Sequence, residues 1–139
     1  MPRPFAASIA TMLLFYPLVA PEFAIADQLD RRIIGAWAQS TSDCKQVFEM
    51  RNGKMTFRRP VNEFIPAFII GEHEIVATNG QCRVGTVVAK EGHIIASLSC
   101  NNSIGFGPVS ARFKVISESE IMYGSTDNPM LDSAYERCR

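Results

Sequence analysis

The fold of this chain is decided by residues 82–100, which read CRVGTVVAKEGHIIASLSC. Two arms, in which apolar side chains alternate with small or polar ones, flank the segment Lys90-Glu91-Gly92, a pattern typical of an antiparallel β-hairpin. A three-residue loop with Gly92 in the left-handed conformation places Cys82 directly opposite Cys100, so a disulfide is geometrically allowed if the pair is a non-hydrogen-bonded one. The other pairs expected from this loop are Ala89–His93, Val88–Ile94, Thr86–Ala96 and Val84–Leu98.

A second hairpin is predicted around Asn52-Gly53, which lies between Val47–Arg51 and Lys54–Arg58. Asn-Gly favours the type I′ turn, because both central residues of that turn need a positive φ. A two-residue loop collects the apolar residues on one face, whereas a three-residue loop would mix the two faces. The pairs expected from the tight turn are Met50–Met55 and Phe48–Phe57.

The four cysteines allow three disulfide connectivities. If Cys82 pairs with Cys100, then Cys44 pairs with Cys138. Cys44 is expected early in the first long strand and Cys138 is the penultimate residue, so this bridge would join the first and last strands and close a meander into a barrel. We therefore predict Cys82–Cys100 and Cys44–Cys138 as structural disulfides, with no catalytic or metal-binding role.

The rest of the chain contains short alternating segments separated by Gly, Asn and Pro, which is typical of an all-β domain. A short N-terminal helix is predicted over residues 27–34, where Leu29 and Ile33 are four residues apart. The fold class predicted is a small antiparallel meander β-barrel of about eight to ten short strands, with a sandwich as the alternative. The remaining strands are predicted at Gly35–Gln39, Ala67–Ile70, His73–Thr78, Val109–Ile116, Glu120–Gly124 and near Ala134–Cys138.

The first 26 residues have the pattern of a secretory signal peptide. Arg3 is followed by an apolar run over residues 5–20 and by the small-x-small segment Ala24-Ile25-Ala26. A membrane anchor is the alternative, but the run is shorter than the ~20 residues that a span needs and contains Pro17. Cleavage is expected after Ala26, which leaves residues 27–139 as a single domain. The predicted location is secreted, or periplasmic in a Gram-negative bacterium, where disulfides persist.

Composition excludes several classes of protein. The 139 residues include 14 Lys and Arg against 14 Asp and Glu, and removal of the leader takes away only one residue of each kind. A neutral chain lacks the basic surplus of a nucleic-acid-binding protein. Its apolar content of 47% is too high for a disordered segment. The prediction is an ordinary globular domain with no nucleic-acid partner and no membrane span after processing.

Candidate catalytic residues are few. The two histidines are His73, within Glu72-His73-Glu74, and His93, four residues before Ser97. On a strand His73 would point away from both neighbouring carboxylates, and no motif joins His93 to a nucleophile and an acid. The sequence predicts no catalytic residue, no metal site and no cofactor. A minor hydrolase that uses one of these histidines stays as a third hypothesis.

Two segments are candidate protein-contact surfaces. Ile104 and Phe106 lie in a Gly-flanked segment that ends at Pro108, and this loop could insert into a partner. The alternative for Phe106 is a cap on the barrel core. Arg58 and Arg59 begin a basic and aromatic connection that leads to Phe64 and could face an acidic partner. The alternative is that this connection is a solvated link between strands. The small Thr86–Ala96 pair could also leave room inside the barrel for an apolar ligand.

The opening of the domain resembles a known group of barrels. Gly35-Ala36-Trp37, followed by Cys44 and an alternating strand, resembles the G-x-W opening of lipocalin-like barrels and of the small bacterial metalloprotease (alkaline-protease) inhibitors. The resemblance implies a Trp that packs across the barrel bottom against Arg137 or Arg139. It also implies that the N-terminal segment Asp27-Gln28-Leu29 enters a protease cleft.

The sequence therefore predicts a non-enzymatic secreted binding protein, an inhibitor or partner of an envelope or extracellular hydrolase. The residues expected to contact the partner are Asp27, Gln28, Leu29, Arg58, Arg59, Ile104 and Phe106. The alternative is a carrier of a small hydrophobic ligand in the barrel interior.

Overall fold

The computed structural model describes residues 25–26, 28–102 and 105–139. Most of the predicted leader, together with Asp27 and Ile104, lies outside the described residues. The strands are β1 (Ile25–Ala26), β2 (Gly35–Ala38), β3 (Phe48–Arg51), β4 (Lys54–Phe57), β5 (Ala67–Ile70), β6 (Glu74–Ala77), β7 (Gly80–Lys90), β8 (His93–Asn102), β9 (Gly105–Val115), β10 (Glu120–Ser125) and β11 (Ser133–Cys138). The one α-helix among the described residues, α1, spans Thr41–Val47, and a 3-10 turn spans Pro129–Leu131.

Eight strands form a closed antiparallel meander barrel, as predicted, and not a sandwich. Their order around the barrel is β2-β5-β6-β7-β8-β9-β10-β11, and β11 returns to pair with β2, where Arg137 is opposite Trp37. We call the end at which β2 ends and β5 begins the upper end, and the opposite end the lower end. The connections 78–79 and 126–132 lie at the upper end, and 71–73, 91–92 and 116–119 lie at the lower end. The long connection 39–66 leaves β2 and enters β5 at the upper end, but its α1 and β3–β4 hairpin lie on the outside of the barrel, with Met50 near Cys138.

The β7–β8 hairpin has the predicted Cys82–Cys100 and Val84–Leu98 pairs, but its loop was predicted wrongly. The loop has two residues, Glu91 and Gly92, with φ angles of 51° and 76°. A β-bulge compensates for the shorter loop, because one extra residue of β7 restores the register beyond it. The predicted pairs between the loop and the bulge are replaced by Lys90–His93, Ala89–Ile94, Val88–Ile95 and Val87–Ala96.

The bulge is built by Gly85, Thr86 and Ser97. The Thr86 N–H donates to Ser97 Oγ at 2.8 Å. A Cβ at Gly85 would lie 2.8 Å from the same hydroxyl oxygen, so the glycine makes room for it. The bulge therefore uses the side chain of Ser97 to satisfy a backbone group that has lost its ladder partner.

The β3–β4 hairpin has the predicted type I′ turn at Asn52-Gly53 and both predicted pairs, Met50–Met55 and Phe48–Phe57. The residues before it differ from the prediction, because Cys44 lies in α1 and not in a strand. Ser40 caps this helix and accepts a hydrogen bond from the Asp43 N–H at 3.2 Å. Only seven residues long, α1 has no sustained helical apolar pattern that sequence analysis could detect.

The helix predicted over residues 27–34 is wrong. The described part of this segment forms a single turn, in which the Ile33 N–H donates to the Asp30 carbonyl at 3.0 Å. The Asp30 carboxylate accepts a hydrogen bond from the Arg32 N–H, and the Arg32 guanidinium holds the pKa of Asp30 below its ordinary value. The chain then enters β2 with Leu29 and Ile33 buried against the lower end of the barrel core.

Both predicted disulfides are present. The Cys44–Cys138 bridge connects α1 with β11, with a Cα–Cα distance of 5.5 Å. It does not join the first and last strands, as the sequence analysis expected. The pairing of β2 with β11 closes the barrel, and the bridge fastens an external helix beside this closure.

The described residues form two hydrophobic cores, one on each side of β2 and β5. Inside the barrel, large side chains such as Trp37, Phe68 and Phe113 fill the interior. Outside, Ala36, Ala38 and Ala67 present small side chains on which α1 and the β3–β4 hairpin pack. Two-sided burial explains why these strands lack a polar face.

Trp37 and Arg137 close the lower end. The Trp37 indole N–H donates to the Ile33 carbonyl at 2.8 Å, and the Arg137 guanidinium lies 4.2 Å from the ring centroid. Arg137 also donates to the carbonyls of Ile34 and Glu118, at 2.6 and 2.7 Å. The Arg that the resemblance placed against Trp37 is therefore Arg137.

Candidate functional site: an exposed apolar surface

Three large apolar side chains project into solvent from the upper end. Phe64, Met130 and Leu131 are 95%, 92% and 69% exposed. Phe64 lies on the connection that enters β5, and the other two lie on the connection that enters β11. Because β2 alone separates β5 from β11 around the barrel, these connections are close neighbours in the topology. We call the three side chains the upper apolar surface.

Local hydrogen bonds position the backbone that carries Phe64. The Phe64 N–H donates to Asn62 Oδ1 at 3.1 Å, a turn that asparagine favours. The Thr78 hydroxyl, at the neighbouring β6–β7 turn, donates to the Ile65 carbonyl at 3.2 Å. Phe64 is therefore held on an anchored segment although its ring contacts little of the protein.

An ion pair anchors the connection that carries Met130 and Leu131. Arg112 Nη2 donates to both carboxylate oxygens of Asp132, each at 2.7 Å. Arg112 lies opposite Gly124 in the β9–β10 ladder, and a Cβ at Gly124 would overlap the Asp132 carboxylate. Because Gly124 has no side chain, the Asp132 carboxylate can lie against the outer face of β10.

The structure separates the contact residues predicted from sequence. Gln28 is exposed at the lower end, whereas Leu29 is 2% exposed in the barrel core and offers no surface to a partner. Arg58 is on the outer flank, where its Nε donates to the Lys45 carbonyl at 3.0 Å. Arg59 is at the upper end, beside Asn79 of the β6–β7 turn.

The segment around Phe106 is not the loop that the sequence analysis expected. β9 begins at Gly105, and the backbone of Phe106 pairs with Asn101 of β8. The described structure does not extend to the Phe106 side chain. The part of this segment that is strand reaches the upper end, the same end as Phe64 and Arg59.

Met130 and Leu131 were missed by sequence reasoning. Their signal is weak: Asn128-Pro129 marks a turn, and two apolar residues follow it without alternation. Exposed apolar residues in a connection look the same in sequence as residues that fold back onto a core. Their exposure in the structure shows that these two side chains are directed outward.

Both histidines lie at the lower end of the barrel. His73 is in the exposed β5–β6 connection, and His93 Nδ1 is 3.1 Å from the Glu91 carbonyl oxygen. The Ser97 hydroxyl contacts the Thr86 backbone within the bulge. Within residues 25–26, 28–102 and 105–139, no three His, Cys, Asp or Glu side chains are grouped in a way that could hold a metal ion.

The interior below the upper end contains a cluster of three aromatic rings. The ring centroid of Phe68 lies 5.2 Å from that of Tyr123 and 4.6 Å from that of Tyr135. Burial raises the pKa of both tyrosines above the ordinary value. A hydrogen bond with the Gln39 side chain partly offsets this effect at Tyr135. These rings fill the part of the barrel interior that lies below the upper end.

We expect the two buried tyrosines to resist ionisation in the folded protein. At the ordinary tyrosine pKa of 10.0, tyrosinate absorbance should remain low in the native state and rise on unfolding. The folded-state pKa of both tyrosines is raised. Their contribution to the free energy of unfolding is therefore complete below pH about 10 and is lost as the pH increases through the folded-state pKa. The variants Tyr123→Phe and Tyr135→Phe each remove one phenol, so the absorbance titration that remains belongs to the other tyrosine. Native titration of both groups at the value found after unfolding would contradict the buried cluster.

Comparisons with known proteins give no relative: no protein-family model, no curated protein and no solved structure matches the chain at a significant level. The inhibitor resemblance of the opening therefore stays a prediction. No helix in the described part of the chain has the length and apolar character needed to cross a membrane.

Proposed function

We propose that this protein is a secreted or periplasmic, non-enzymatic binding protein that contacts a partner protein through the upper apolar surface. The observation that carries the proposal is the exposure of Phe64, Met130 and Leu131 at one end of the barrel. Burying a large apolar side chain at an interface contributes about 1.5–3 kcal/mol, so these three exposed side chains offer binding energy to a partner that covers them.

The surroundings of these side chains suit a protein interface. Exposed polar residues precede both segments that carry them: Asn62 and Glu63 lie before Phe64, and Asp127 and Asn128 lie before Met130 and Leu131. An apolar centre with a polar rim is the usual anatomy of a protein–protein contact. Arg59 adds a cation at the same end, and arginine is enriched among residues that dominate binding energy.

The packed interior favours this function over a ligand carrier. Val87 replaces Thr86 opposite Ala96, so the small pair from which a cavity was inferred does not form. Phe68, Phe113 and Ile121 are among the buried residues of the inner core. Surface contacts therefore offer more for recognition than the barrel interior does.

A hydrolase is the partner class that we propose, with this protein as its inhibitor. Support for the class comes from the resemblance of Gly35-Ala36-Trp37 and Cys44 to the opening of metalloprotease inhibitors. The two disulfides suit the oxidising compartment in which secreted hydrolases act. The surface proposed differs from the N-terminal segment used by that family, because Gln28 is at the lower end and Leu29 is buried.

The test is a photo-crosslinking amino acid at position 64, used to identify the partner by mass spectrometry in periplasmic and culture extracts. The identified protein is then purified and titrated with the wild type and with Phe64→Ser/Met130→Ser/Leu131→Ser. We expect the triple variant to weaken binding at least 100-fold, and the wild type to inhibit the partner's hydrolytic activity. Phe106→Ser, measured alongside, tests the contact predicted there.

The matched control is Met50→Ser/Ile116→Ser, which removes apolar side chains that are 62% and 48% exposed away from the upper surface. This variant should bind like the wild type. Equal loss in both variants would show that general surface hydrophobicity matters and not the upper end. A partner that is bound but keeps full hydrolytic activity would contradict the inhibitor role and leave the contact surface in place.

A further inference from the structure

β7 extends beyond β6 and has a second neighbour there. β6 pairs with Gly80–Arg83, and β1 pairs with the later part of β7, where Ile25 is opposite Val88 and Ala26 is opposite Val87. β1 consists of the last two residues of the predicted leader. The same segment is thus predicted to be removed by processing and observed as a strand on the barrel.

The direction of the β7 backbone groups follows from the hairpin. Lys90 and His93 flank a two-residue turn, so their backbones are hydrogen bonded to each other. Pairs alternate along an antiparallel ladder, so Val88 bonds to β8, whereas the N–H and C=O groups of Val87 and Ala89 point to the opposite side. That side is the one occupied by β1.

Two independent observations agree with this alternation. Continued past the bulge, it makes Cys82–Cys100 a non-hydrogen-bonded pair, which fits their short Cα–Cα distance of 4.0 Å. It also directs the Val84 N–H away from β8, and this group donates to the His73 carbonyl at 2.8 Å. Val87 therefore exchanges its backbone hydrogen bonds with Ala26, and cleavage after Ala26 removes that partner.

We propose that processing opens the Val87–Ala89 edge of β7 as a docking site for a short extended segment of a partner polypeptide, antiparallel to β7. The inference rests on the secreted location proposed above and on cleavage after Ala26. Unpaired backbone groups on a strand edge recruit a further strand, with main-chain hydrogen bonds supplying affinity. β1 already pairs with this edge, with Ala26 opposite Val87 and Ile25 opposite Val88.

The length of the open edge selects a short segment over a second copy of this chain. On one side the edge ends at the Lys90–His93 turn, and on the other at the bulge that engages the Thr86 backbone. Just beyond, Leu29 is fixed by its N–H, which donates to the Glu72 carbonyl at 2.9 Å. An antiparallel β7 from a second copy would have to run past these residues in both subunits, whereas a segment of a few residues fits between them.

The test uses the exported protein, whose N-terminus is determined by intact mass, and a capped synthetic peptide of residues 21–26, PEFAIA. We expect an N-terminus at Asp27, saturable binding of the peptide, and at least tenfold slower amide exchange over residues 87–89 when the peptide is bound. N-methylation of the peptide at Ala26 should weaken binding at least tenfold, because it removes the donor that faces Val87.

Ala89→Pro is the variant in the protein. It removes an N–H that faces the open edge and spares the bonds to β8, as proline is tolerated on strand edges, so peptide binding should fall at least tenfold with the melting temperature retained. Lys90→Ala is the matched control and should bind like the wild type. If Ala89→Pro unfolds, the N-methylated peptide decides.

Several results would overturn the inference: an exported protein that retains Ile25 and Ala26, absence of peptide binding, binding that survives N-methylation, or a dimer of the processed protein that excludes the peptide. Phe64→Ser should leave peptide binding unchanged. If the peptide does not bind at the β7 edge but the partner still binds the upper apolar surface, only this inference is wrong. If the peptide binds and no partner binds the upper apolar surface, only the proposed function is wrong.

Discussion

Replacing Trp37 with alanine is expected to lower the free energy of unfolding by about 3–5 kcal/mol. Trp37 is fully buried where the N-terminal segment crosses the lower end of the barrel. The substitution opens a cavity there, leaves the Ile33 carbonyl without its indole donor, and takes the ring from beneath Arg137. Chemical denaturation followed by far-ultraviolet circular dichroism measures the loss, since the variant has no tryptophan fluorescence.

Two variants bracket this result. Trp37→Phe keeps an aromatic ring in the core, and its loss should be smaller, with about 1–3 kcal/mol from the unsatisfied carbonyl. Phe64→Ala removes an aromatic ring that is exposed, so its effect should stay within about 0.5 kcal/mol. A Trp37→Ala loss no larger than that of Phe64→Ala would contradict the closure of the lower end by Trp37.

Removal of the two disulfides is expected to have unequal effects. The Cys44–Cys138 bridge spans 94 residues, and the chain-entropy relation gives about 4.7 kcal/mol for its loss. The Cys82–Cys100 bridge spans 18 residues, which gives about 3 kcal/mol. Alanine is the preferred replacement, because Cys138 is buried in the outer core and a serine hydroxyl there would need a partner.

The comparison is made by denaturant unfolding of Cys44→Ala/Cys138→Ala and Cys82→Ala/Cys100→Ala under identical non-reducing conditions. The first variant should be the less stable of the two, with the barrel strands retained in both. A greater loss from the shorter bridge would mean that the bridges act mainly on the folded state and not by restricting the unfolded chain.

The fold was predictable where local turn chemistry and apolar alternation agree. Asn52-Gly53 sets the β3–β4 register because a change of one residue would turn every apolar side chain outward. Cys82 was placed opposite Cys100 although the loop was taken as one residue too long, because the bulge at Gly85 and Thr86 cancels that error. Inward-facing positions beyond the bulge are unaffected by where the extra residue lies.

Other features depend on contacts that no local pattern encodes. α1 is too short to show a helical period, and its stability comes from packing on Ala36 and Ala38 and from the bridge at Cys44. Of the upper apolar surface, Phe64 was found within a suspected connection, whereas Met130 and Leu131 were not. The connection that carries them is held beside β9 by the pair between Arg112 and Asp132, which lie 20 residues apart in the chain.

The pairing of β2 with β11 has a kinetic consequence. Adjacent hairpins such as β7–β8 join residues that are near in sequence and can form early, but the seam between β2 and β11 joins the two ends of the domain. Because closing such a long loop is slow, the open meander must exist for a time with the aromatic interior and two strand edges exposed. We expect such a domain to be most at risk of aggregation during export, before its first strand meets its last.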